Sequence, residues 1–189
     1  MKKSFLAAAT ILAGLSAPAL ADSNTSSIDQ LGTNSSVAIT QTGDTTTNDA
    51  IVKQVGGDNN HATIDQDGTN NENHSTIFQF GDDEHATTTQ GGTNNENTSI
   101  LTQAGGNNLA TVAQGGDDNT NFSRVQIQAG TDNIIDVSQE GDNNNNNSFI
   151  STFSHGSSVD VHQYGSTNTN LSVINSGTFG PNSATVDQH

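Results

Sequence analysis

The side chains that recur at fixed spacing in this chain are amides, and the chemistry open to them is hydrogen bonding rather than catalysis. Asn24, Asn48, Asn73 and Asn97 follow one another at intervals of 24 or 25 residues, and six positions after each stands a glutamine: Gln30, Gln54, Gln79 and Gln103. A second series, half a period on, closes on Gln41, Gln66, Gln90, Gln114, Gln139, Gln163 and Gln188. Its opening residue is Asn60, Asn108, Asn133 or Asn182 in four copies and Ser35, Glu84 or Ser157 in the others. A side-chain amide carries a carbonyl acceptor and an NH₂ donor. Amides stacked at one spacing can therefore form ladders, each C=O accepting from the NH₂ of the rung above.

Other candidate chemistry is weak. His61 and His85 recur one period apart, but the next residues at that spacing are Leu109 and Ile134. No zinc-type ligand spacing surrounds them, so they read as solvated. Turns such as Gly56-Gly57-Asp58-Asn59 have the composition of calcium-binding repeats, yet those demand a period of about nine residues. A serine recurs in nearly every unit as a small packing residue, with no Ser-His-Asp context. The carboxylates fall in turns (Asp82, Asp83, Glu84, Asp117, Asp118) or on outward positions (Asp65, Asp136, Asp160, Asp187), with no pocket implied. We therefore expect no catalytic residue, no metal and no cofactor, and not an enzyme. Asp136 and Asp160 share an outward column, so like charges stand rung over rung. Acidification towards pH 4 should relieve such self-repulsion and speed association.

The elements that must position the amides are β-strands. Side chains two apart in a strand point the same way. Asn97-Ser99-Leu101-Gln103 and Asn108-Ala110-Val112-Gln114 each offer one face built as amide, small, apolar, amide. Seven such pairs fill the chain: about 24–47, 48–72, 73–96, 97–120, 121–145, 146–169 and 170–189. In the last three the first-strand glutamine gives way to Ile127, Thr152 and Ser176. Gly, Asn and Asp between strands tolerate the positive φ of a chain reversal, and no apolar set recurs at helical spacing. A two-strand unit cannot bury its single apolar face alone, so the units must stack. The expected fold is all-β: a β-solenoid of about seven stacked two-strand rungs, with Ile28, Val52, Ile77, Leu101, Val125, Ile150 and Ile174 as one inner column.

Residues 1–21 read as a cleaved signal: Lys2 and Lys3, an apolar run from Phe5 to Leu15, then Ala19-Leu20-Ala21. The run is too short to span a bilayer of about 30 Å, and no membrane insertion is expected. After cleavage the basic residues are Lys53 and Arg124 against 20 carboxylates, which argues against nucleic acid as a partner. With no cysteine and 29% hydrophobic residues, composition alone would suggest disorder; the periodicity argues otherwise.

The pattern Ser99 … Gln103-Ala104-Gly105 … Asn108-x-Ala110-x3-Gln114 resembles the curlin repeat of bacterial curli fibre subunits, and the resemblance covers residues 24–188. It implies a secreted subunit, more like the major one, that self-assembles into extracellular amyloid at the cell surface for biofilm matrix and adhesion. It also implies two partners: a minor nucleator subunit and an outer-membrane export pore. The units here are longer than the usual curlin repeat because of the turn from Gln66 to Asn73. First strands beginning at Asn24 and last strands ending at Gln188 leave no room for caps, so both ends of the stack are expected to be open for addition of further copies. The alternatives are a nucleator subunit and a monomeric solenoid that acts as an adhesin or binds a ligand. An outward column of Ile51, Ile100, Phe149 and Val173 would suit lateral bundling.

Overall fold

The computed structural model describes residues 10–14, 23–44, 46–177 and 181–189. No helix occurs among them, and so none is long and apolar enough to cross a membrane. The chain winds as a parallel β-solenoid of seven turns. First strands are β2 (Ser23–Thr33), β4 (Thr47–Asp58), β6 (Glu72–Asp82), β8 (Glu96–Gly106), β10 (Thr120–Thr131), β12 (Asn145–Thr152) and β14 (Thr169–Ser176). Second strands are β3 (Ser36–Gln41), β5 (His61–Gln66), β7 (His85–Gln90), β9 (Leu109–Gln114), β11 (Ile134–Gln139), β13 (Ser158–Gln163) and β15 (Ser183–Gln188). Each set forms its own sheet in sequence order.

Register is what makes this fold useful. Asn48 lies opposite Asn73, which lies opposite Asn97; Gln66 lies opposite Gln90. A slip of one residue would turn every inner side chain outward. Alternation along each strand sends one face inside: in β6 the buried residues are Asn73, Ser75, Ile77 and Gln79. The core is a single thin layer between the sheets, made of one or two aliphatic side chains per strand, among them Ile64, Ile77, Leu101, Val112 and Val137. Amides flank that layer on both sides, completely buried at Gln54, Gln79, Gln90 and Gln103.

Two corners per rung turn the chain. Asn59, Asp83, Asn107 and Asp132 take the left-handed conformation in one corner, and Asn70, Asn94, Asp118 and Asn143 in the other, the role those residue types tolerate best. Glycine is obligatory where corners stack most tightly. At Gly81, with φ of +143°, a Cβ would fall on the carbonyl oxygen of Gly105 in the next rung.

The amino-terminal end departs from expectation. Thr10–Gly14 form β1, which pairs in parallel with β3 from Thr10 opposite Ser36 to Gly14 opposite Thr40. Of the two strand edges expected to be bare at this end, only that of β2 lacks a partner strand among the described residues. The rest of the expected signal, including the cleavage site, lies outside the described residues.

Candidate functional site

The feature that repeats from rung to rung is a set of side-chain ladders running the length of the stack. In the first-strand asparagine column, Asn73 donates to Asn48 at 2.9 Å and Asn97 to Asn73 at 3.0 Å. The column continues through Asn121, Asn146 and Asn170. The second-strand glutamine column spans all seven rungs without a break. Gln41 donates to Gln66, Gln66 to Gln90, Gln90 to Gln114, Gln114 to Gln139, Gln139 to Gln163 and Gln163 to Gln188, at 2.7–2.9 Å.

The two columns run in opposite directions. Asparagine NH₂ groups donate to the preceding rung, whereas glutamine NH₂ groups donate to the following one, so one acceptor rule does not cover both. The cause is the second job of each glutamine. Gln90 also donates to the backbone carbonyl of His74, and Gln114 to that of Thr98, on the opposite sheet. One amide thereby ties its rung to the next and the two sheets to each other, which satisfies a buried group that would otherwise be costly.

The first-strand glutamine column is shorter. Gln54 donates to Gln79 at 2.8 Å and Gln79 to Gln103 at 3.0 Å. Two expected members stay outside the ladders. Asn24 is exposed, and both amide atoms of Gln30 lack a hydrogen-bond partner, as does the Gln54 Oε1 that would face it. Asn24 would donate to a preceding asparagine, and no strand precedes β2 in its sheet among the described residues; nothing in the structure explains the missing Gln30-to-Gln54 bond.

Asn60, Asn108, Asn133 and Asn182 require another correction. They stand in the corners just before the second strands, not within them. Apart from an Asn133-to-Asn108 bond at 2.9 Å and an Asn108-to-Glu84 bond at 3.0 Å, the first three bond mostly to backbone. Asn60 donates to the carbonyls of Gly56 and Gly81, while its own carbonyl accepts from the backbone N–H of Glu84. Asn182 donates to the hydroxyl of Ser176. Glu84, which the sequence places both among the turn carboxylates and at the opening of this column, is buried in the column.

A ladder that sequence reasoning missed runs through the opposite corner. Asn71, Asn95, Asn119 and Asn144 each accept from the backbone N–H of the next member, ending at Asn168, at 2.8–2.9 Å. Each also donates to a glycine carbonyl one rung on. The signal was available as Asn-x-Asn, repeated in Asn71-Glu72-Asn73, Asn95-Glu96-Asn97 and Asn119-Thr120-Asn121. The strand alternation picks out only the second asparagine of each.

Outside, His61 and His85 stack with ring centroids 4.9 Å apart. Among the described residues no group of three or more His, Asp or Glu side chains is placed to hold a metal ion. Asp136 and Asp160 face each other across adjacent rungs, and His162 approaches Asp160 at 2.8 Å. The outward apolar column alternates Ile51, Thr76, Ile100, Arg124, Phe149 and Val173, so its continuous apolar part is only Phe149 and Val173.

Comparison with known proteins agrees with this geometry. Residues 57–92 match the family model described as the curlin associated repeat. No curated protein and no solved structure matches the chain. The matched stretch covers β5, β6 and β7, and the remaining rungs lie in register with it. The parallel solenoid carries the same alternation through its other rungs, and over residues 57–92 the chain is similar to the curlin family of structural repeat proteins.

Proposed function

We propose that the chain is the major subunit of a secreted curli-type amyloid, adding end to end into extracellular fibres that serve biofilm matrix and surface adhesion. The observation that carries this reading is the difference between terminal and central rungs. Ile77, Leu101 and Val125 are fully buried, whereas Ile28 at one end and Ile174, Ala184 and Val186 at the other are only partly covered. A second copy stacked in register would cover them and satisfy the open strand edges. The ladder directions continue across such a joint. The Gln188 NH₂ would donate to Gln41 of the next copy, and Asn24 of that copy to Asn170.

Export under a signal comprising residues 1–21 belongs to this proposal, leaving a single repeat domain over 22–189. So do an outer-membrane pore and a nucleator subunit as partners. The columns of inward amides, not an active site, carry the function, and no enzymatic role is assigned.

The test is electron microscopy and fibre diffraction of residues 22–189. Unbranched fibres with a meridional spacing of about 4.7–4.8 Å are the expected result. A chain that stays monodisperse for days without thioflavin response favours a monomeric adhesin instead. Shortening of another subunit's lag at low molar ratio would reassign the chain as the nucleator.

A further inference from the structure

The corner between β6 and β7 places a carboxylic acid where neighbouring rungs have asparagine. Glu84 occupies the position of Asn60 in the rung before and of Asn108 and Asn133 in the rungs after, and it is 0% exposed. Its backbone N–H donates to Asn60 Oδ1 at 3.0 Å, and its Oε1 accepts from Asn108 Nδ2 at 3.0 Å. Its Oε2 is buried without a partner. The charges around it share its sign: Asp82 and Asp83 in its own corner, and Asp58, which is hydrogen-bonded to both, in the rung before. The rung after presents Gly106 and Asn107, which are neutral. On the flanking strands, His61 and His85 stack against each other on exposed positions. No lysine or arginine forms an ion pair with Glu84 among the described residues. An ionised carboxylate with one bare oxygen is costly in such a place.

We infer that Glu84 enters the folded stack as a neutral acid and couples formation of its rung to the uptake of one proton. Burial, with Asp82 and Asp83 adding to it against the bond from Asn108, pushes its carboxyl up to about 7 from 4.5. The sign follows from linkage. Between those values the folded chain holds a proton that the unfolded chain has released, so stability is greatest below 4.5, falls as pH rises, and levels off above about 7. The folding equilibrium constant should drop about tenfold per pH unit inside that window. Repulsion among the outward carboxylates pushes in the same direction, but it survives substitution of Glu84.

The inference rests on the corner geometry and applies to fibre and monomer alike, so its test does not depend on assembly. Residues 22–189 labelled with ¹³C in the glutamate side-chain carboxyls are titrated by NMR, with sedimentation recording the assembly state separately. One carboxyl signal, absent in Glu84→Gln, should titrate close to 7. Glu84→Gln and Glu84→Asn, which restores the residue of adjacent rungs, should both flatten the dependence of urea stability on pH between about 5 and 7. Glu72→Gln, on an exposed position of the same unit, should leave it intact. A midpoint below about 5.5 for the signal lost in Glu84→Gln overturns the inference, and so does an unchanged pH slope in both variants. Failure to form fibres with the Glu84 signal still near 7 overturns the assembly reading alone.

Discussion

The first-strand glutamine column reads differently in the two halves of the stack. From β4 to β8 it is a hydrogen-bonded ladder in which Gln79 donates to Gln103 and to the carbonyls of His61 and Glu84. From β10 to β14 the same positions hold Ile127, Thr152 and Ser176. The corner beside them changes too: the glycine column Gly57, Gly81, Gly105, Gly130 ends in Ser154. Ser154 sits in a hydroxyl cluster with Thr152, Ser157 and Ser176. Meanwhile the second-strand glutamines continue unbroken beside both halves. One complete glutamine ladder therefore holds the register, and the other strand is free to exchange its amide for an apolar or hydroxyl contact.

That contrast can be broken most severely at the corner glycines. Gly81→Ala imposes both a left-handed φ and a backbone collision, and should cost at least about 3 kcal/mol. Ser154→Ala, at the aligned corner of the carboxyl-terminal half, should cost only about 1 kcal/mol. Urea midpoints of residues 22–189 separate the two, and equal losses would mean that the halves share one corner geometry.

Gln79→Ala should come next, at about 3 kcal/mol. It leaves a cavity, the NH₂ of Gln54 without its acceptor, and the carbonyl of His61 without its side-chain donor. Thr152→Ala should cost about 1 kcal/mol in the same assay. The smallest effect sharpens the comparison by extending the ladder. Ile127→Gln alone should lose about 1–2 kcal/mol, because its new NH₂ meets Thr152 rather than a glutamine on the following rung. Adding Thr152→Gln and Ser176→Gln should recover most of that loss. A triple variant no better than the single one would show that the carboxyl-terminal half cannot accommodate a ladder.

What the order of residues determined by itself was periodicity: strand alternation, a repeat of 24 or 25, and hence parallel stacking with like side chains in columns. These follow from local geometry, since a two-residue pleat and a fixed repeat admit one register that stacks the recurring inner apolar positions in a single column. Asn73, Gln79 and Gln90 could be placed on that ground alone. Only the tertiary structure decided what each amide bonds. The opposed directions of the Asn and Gln columns depend on which carbonyl the opposite sheet presents. The corner ladder from Asn71 to Asn168 depends on where successive turns overlie one another. For Glu84 the repeat gave its place in the column beside Asn60 and Asn108, while its full burial and its bond from Asn108 depend on the rungs before and after closing over it.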